Sequence, residues 1–158
     1  MQARIAIALV GTWIAAQTGI LPAFAQNADI AVVVSSQNAI DNLSASDVRR
    51  IFTGEKRSWA GNIPIKLLVR APGAREREVL LKMLNMSESE FKQYWTGRVF
   101  RGDAQAEPIA VFSNGMQKEA IALYPGAIAL MNIQDVKPGM KIVRVDGHKP
   151  GEAGYPLQ

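Results

Sequence analysis

From residue 28 onward, short runs of β-forming residues alternate with helical segments that carry their own start and stop signals, and few architectures accept that alternation. Ala28 to Val34 is a continuous apolar run around Asp29, with Ile30, Val32, Val33 and Val34 supplying β-branched character. A run with no polar face reads as a central strand covered on both sides, most simply a parallel one. After a polar stretch, Ser35 to Asn42, the period changes to that of a helix.

That helix is the best-specified segment of the chain. Ser44 is an N-cap residue, Asp47 can reach back to it in a shortened capping box, and Leu43 and Val48 form a hydrophobic staple across the cap. Val48, Ile51 and Phe52 share one stripe, and Gly54 stands where a left-handed residue ends a helix. Trp59 follows in a turn and is expected to fold back as a lid on the same core.

Ile63 to Arg70 is the second strand, with Pro64 tolerated near its start. Ala71-Pro72-Gly73-Ala74 is a tight connection into a helix whose Val79, Leu80, Met83 and Leu84 share a face and which Asn85 ends. Ser87-x-x-Glu90 is a full capping box for the next helix, with Met86 and Phe91 as its staple and Phe91, Tyr94, Trp95 and Val99 on the buried side. Gly102 to Pro108 reads as a polar loop. Ile109 to Phe112 is a short strand, and Ser113-Asn114-Gly115 starts a helix on which Met116, Ala120, Ile121 and Tyr124 line up before Pro125-Gly126 stops it. Ala127 to Met131 is another buried strand, and the alternating Lys141 to Val145 is expected at a sheet edge. Together these predict an α/β fold, a three-layer α/β/α domain with a mostly parallel sheet.

The first residues have a different character. Met1 to Ala25 has one basic residue, Arg4, then an apolar run from Ile5 to Ala16, then Ala23-Phe24-Ala25, the layout of a cleaved secretory signal. The run is too short for a membrane span of about 20 residues. The expected product, beginning at Gln26, is a single exported domain over residues 28–158, periplasmic or secreted, with no membrane span after cleavage. With no cysteine in 158 residues, disulfides, thiolate chemistry and a lipidated cysteine are excluded. A formal net charge of +4 without a run of five like charges permits an anionic ligand and argues against nucleic acid.

Five pieces in order resemble the phosphate-type periplasmic solute receptors of ABC transporters. These are Leu43-Ser44 with Ile51-Phe52-x-Gly54 and Ser58-Trp59-x-Gly61; Phe91 to Trp95 with Phe100-Arg101-Gly102; Pro125-Gly126-Ala127-Ile128; Val145-Asp146-Gly147; and Tyr155-Pro156-Leu157. The resemblance implies one lobe of a type II periplasmic binding protein. Such receptors hold ligand between two lobes, so half the cage would have to come from a protein partner or a second copy of the chain.

It also implies where a phosphate-like oxyanion would sit: at the turn after the second strand, where the family places an Arg and a Ser-Gly-Thr loop at a helix N-terminus. Arg70 matches the Arg and Gly73 keeps the tight turn, but Ala74, Arg75 and Glu76 replace the hydroxyl residues. The helix start still offers N–H donors and a partial positive charge. Ser113 and Asn114, at another helix start, are a second candidate, which helix capping also explains. The run Arg75, Glu76, Arg77, Glu78 and Lys82 reads equally as a solvated face, with Glu78 and Lys82 as an i,i+4 pair.

Enzymatic chemistry has no foothold. The single histidine, His148, lies in a Gly/Pro-rich tail without a sequence partner for a triad or a metal site, and no nucleophile elbow, P-loop or dinucleotide fingerprint occurs. No cofactor is expected. Two readings remain open: a solute-binding-like module linked to phosphate transport, and a non-binding accessory protein that keeps the lobe as a scaffold.

Overall fold

The computed structural model describes residues 29–157; the expected signal segment lies outside them. In chain order the elements are β1 (Ile30–Ser35), β2 (Asn42–Leu43), α1 (Ala45–Phe52), β3 (Lys66–Arg70), α2 (Arg75–Leu84), α3 (Glu88–Phe100), β4 (Ile109–Val111), α4 (Asn114–Leu123), β5 (Ala127–Asn132) and β6 (Met140–Val145). One sheet of six strands runs in the order β2-β6-β1-β5-β3-β4.

β1 pairs antiparallel with both β5 and β6, whereas β2–β6, β3–β5 and β3–β4 are parallel. The sheet is therefore mostly parallel, but the strand expected to be a parallel one is the reversed one. All six residues of β1 are buried, as the apolar run predicts. Burial on both faces leaves the same pattern whichever way a strand runs, so the pattern carried position and not direction. β6 is not at the edge, because β2 covers it. Its alternation has another cause: Val143 and Val145 enter the main core, while Arg144 on the opposite face meets solvent.

The three layers follow from the side-chain alternation of β1. Ile30, Val32 and Val34 face the main core with α1, α2 and α3, and Ala31 and Val33 face a smaller cluster with Ile121 of α4. Val48, Ile51 and Phe52 of α1 are fully enclosed, each stabilising the fold by about 1.5–3 kcal/mol. The α1 cap forms as the sequence predicts, with the Asp47 N–H donating to Ser44 Oγ at 2.9 Å. The Asp47 carboxylate accepts from the Ser44 hydroxyl at 3.1 Å rather than from its backbone. Gly54 takes φ +71°. The α3 capping box is complete, through Glu90 N–H to Ser87 Oγ and Ser87 N–H to Glu90 Oε2.

Two helical stripes differ from expectation. On α4, Met116 is 44% exposed and Gln117 lies inside instead, its Nε2 donating to the Leu130 carbonyl at 2.7 Å; a polar side chain that finds a buried acceptor can hold a core position. On α3, Val99 is exposed and Arg98 turns inward, where its Nη1 and the Tyr94 hydroxyl both donate to Thr53 O at 2.9 Å. They cap α1's C-terminal carbonyls, where positive charge is favoured. Arg49 of α1 does the same for α2, donating to Met83 O and Leu84 O. No helix among the described residues is long and apolar enough to cross a membrane.

Candidate oxyanion edge

β3 and β4 are parallel neighbours with Arg70 opposite Val111, and the Ala71 N–H donates to Val111 O at 3.0 Å. The chain leaves both strands at the same end and enters a helix each time. This brings the two candidate groups, Arg70-Gly73-Ala74-Arg75 and Ser113-Asn114, to adjacent carboxyl ends of the sheet, where ligands of α/β proteins bind.

Gly73 takes φ +85°, which a residue with a Cβ adopts only under strain, and this lets the turn after Pro72 redirect the chain into α2. Ala74 is the N-cap of α2 and provides no side-chain acceptor, so the first-turn N–H groups lack the satisfaction a Ser or Asp would give. Ser113 behaves differently. Its hydroxyl accepts the Met116 N–H at 3.1 Å, so its acceptor is already used as a cap, while Asn114 is exposed beside it.

The charged groups on this edge are arranged around Arg70. Its side chain is largely buried, and Nε and Nη1 have no hydrogen-bond partner. Arg75 Nε is likewise buried and unpartnered. The nearest carboxylate is Glu76, itself buried, with Oε2 3.9 Å from Arg70 Nε. That is a charge contact without a hydrogen bond. Surface cavities of about 380, 490 and 610 Å³ have Arg70 in none of their walls. The edge is thus a largely buried guanidinium next to an uncapped helix start, with an internal carboxylate 3.9 Å away.

The solvated-face reading of residues 75–82 is overturned at two positions. Glu76 and Arg77 are buried. Arg77 donates to Glu88 through Nε at 2.9 Å and Nη2 at 2.7 Å, and its guanidinium lies over the Phe91 ring at 4.1 Å. Nothing in residues 75–78 announces this, because Glu88 and Phe91 belong to the next helix. Glu78 and Lys82 are exposed, as that reading required.

No protein-family model matches the chain. Solved structures do. An ABC-type phosphate transport receptor from Vibrio cholerae matches with a TM-score of 0.62 and 18% identity over 77% of this chain and 48% of that one. A putative phosphate ABC transporter substrate-binding protein with bound phosphate, from Clostridium perfringens, matches with a TM-score of 0.62 and 18% identity over 77% of this chain and 46% of that one. PstS from Borrelia burgdorferi matches with a TM-score of 0.59 and 20% identity over 77% and 49%. The chain spans about half the length of these structures and shares its mixed α/β fold with that half.

Proposed function

We propose that this chain is an exported, non-enzymatic, solute-binding-like module that takes phosphate or a similar oxyanion weakly at the Arg70 edge. The observation that carries the reading is the Arg70 guanidinium. It is largely buried at the carboxyl end of β3, with Nε and Nη1 unpartnered, beside a helix start that no side chain caps. Guanidinium and helix N-terminus are the two devices that hold phosphate oxygens in proteins. A link to phosphate transport, with a protein partner or a second copy completing the cleft, is part of the same proposal, as is export by the segment Met1 to Ala25. Mass spectrometry of exported protein beginning at Gln26 tests the export; a retained N-terminus in the membrane fraction refutes it.

A site open on one side leaves the anion partly hydrated, so each charge contact contributes little. Isothermal titration with phosphate and sulfate is expected to give high-micromolar to millimolar affinity, about −4 to −6 kcal/mol. Arg70→Ala abolishes it, and added salt weakens it. Affinity indifferent to Arg70→Ala refutes the placement.

The second reading, a scaffold without ligand, is favoured by Glu76, whose buried carboxylate faces Arg70. Absence of heat with phosphate at about 10 mM, an affinity of about −2.7 kcal/mol, decides for it.

A further inference from the structure

At the opposite end of β3 and β4 lies a cavity of about 380 Å³, in the size range of small-molecule sites. Its walls are the segment after α1, the start of β3 and the approach to β4, residues 104–109. Arg70 lies at the far end of β3, roughly 13 Å away at the usual rise per residue. This is a separate place on the molecule.

The floor is apolar, made by Ile51, Ile65, Leu67 and Trp95. Trp95 is 3% exposed, yet its Nε1–H has no acceptor. A buried indole N–H normally finds one. The rim carries Lys56 and Arg57 against the single carboxylate of Glu107, while Lys66 alternates with Ile65 and Leu67 along β3 and so projects from the other face of the sheet, the one it shares with Leu68. Lys56 Nζ meets Asp47 at 3.3 Å and Glu107 accepts from Thr96 at 2.9 Å. Arg57, which is exposed, makes no ion pair among the described residues.

The walls are tied in place. Arg57 Nη1 donates to Asp103 O at 3.1 Å, joining the two loops that flank the opening, and the Ile65 N–H donates to Arg57 O at 2.9 Å. β1 runs antiparallel to β5 with Ile30 opposite Asn132, and so starts at the end of the sheet away from this cavity.

We propose that this cavity binds a small amphipathic organic anion, with an aryl or branched alkyl body on the Ile51–Trp95 floor and a carboxylate at the Arg57 rim. An apolar floor alone would accept a neutral molecule equally, and a cationic rim alone would accept inorganic phosphate. Side by side they select a molecule that has both parts. The site stands independently of the Arg70 edge.

The experiment uses 4-phenylbutyrate as probe, with 4-phenylbutan-1-ol and inorganic phosphate as controls, read by isothermal titration and by the indole ¹H–¹⁵N cross-peak of Trp95. The expected result is a Kd of about 0.1 mM for the acid, binding about tenfold weaker for the alcohol, and a shifted Trp95 cross-peak. Arg57→Glu, at an exposed position, weakens the acid at least about fivefold through charge reversal, Ala106→Trp in the cavity wall abolishes binding, and Arg70→Ala leaves it unchanged. Circular dichroism checks that both cavity variants fold. An absence of binding at about 5 mM, equal affinity for acid and alcohol, an unmoved Trp95 cross-peak, or indifference to both Arg57→Glu and Ala106→Trp each overturns the proposal.

Discussion

The indole N–H of Trp59 donates to the backbone carbonyl of Gly126 at 3.0 Å, which ties the turn after α1 to the turn before β5. The same carbonyl accepts the Lys66 N–H at 3.0 Å, so both of its lone pairs are used inside the core. A Cβ on Gly126 would collide with the Pro64 carbonyl oxygen. The turn from Trp59 to Lys66 is thus fastened at one point to Gly126, 67 residues beyond Trp59. Trp59→Ala is expected to cost about 3–5 kcal/mol, the loss of a buried aromatic, and Trp59→Phe about 0.5–1.5 kcal/mol, the loss of one of the carbonyl's two hydrogen bonds. Urea unfolding followed by circular dichroism measures both; a cost under about 1 kcal/mol for the alanine variant contradicts the buried role.

Arg77 belongs to the core despite its charge. Its bidentate contact with Glu88 and its position over Phe91 make Arg77→Ala cost about 1.5–3 kcal/mol. Arg77→Lys keeps the charge but loses the planar fork, and is expected to recover less than half of the loss. Chemical denaturation distinguishes this from a solvated arginine, for which both variants would fall within about 0.5 kcal/mol of the parent.

Tyr155 should make the fold sensitive to alkali. Burial pushes its hydroxyl from 10.0 to about 12, the Asp29 charge adds to the rise, and a hydrogen bond with the Val32 backbone works against it. A group that holds its proton more tightly when folded stabilises fully below its unfolded pKa and loses that contribution as pH rises through the folded value. Stability is therefore expected to fall by on the order of 2 kcal/mol between pH 10 and 12. Tyr155→Phe removes that slope while costing about 1 kcal/mol at neutral pH, because the hydroxyl donates to Ile30 O. Denaturation midpoints across pH 8 to 12 for the two proteins supply the test; parallel curves speak against it.

Glu76 competes with any anion at Arg70. Glu76→Gln leaves the shape but removes the charge 3.9 Å from the Arg70 guanidinium, so phosphate affinity is expected to rise about three- to tenfold, the scale of a partly screened charge contact. Titration of the variant reads this directly. An unchanged or weaker affinity would mean that Glu76 positions Arg70 and does not oppose the ligand.

Local signals were legible wherever a few consecutive residues decide the structure. The caps at Ser44 and Ser87, the left-handed ends at Gly54 and Asn85 and the turn at Gly73 were all readable, because each depends on hydrogen bonds or dihedral angles within one turn. The order of strands and helices followed, and with it the place of Arg70 at a strand's carboxyl end. The inward positions of Trp59 and Trp95 were legible too, since large aromatics in helix-packing contexts have few alternatives to the core.

The rest depended on partners far along the chain. The direction of β1 is set by how β5 and β6 return to it, and a doubly covered strand has the same composition either way. Arg77 turned inward because Glu88 and Phe91 of the following helix receive it, and Gln117 because the Leu130 carbonyl lies within its reach. The same holds for the cavity above Trp95, whose walls come from three separated segments. The sequence by itself determined the helices, the longer strands and the layered class of the fold, through interactions spanning a few residues, but not β2, whose two residues read only as the lead-in to α1. Only the tertiary structure decided which charges are buried, which strand is reversed and where a ligand could enter, because those energies arise between groups that the chain brings together only on folding.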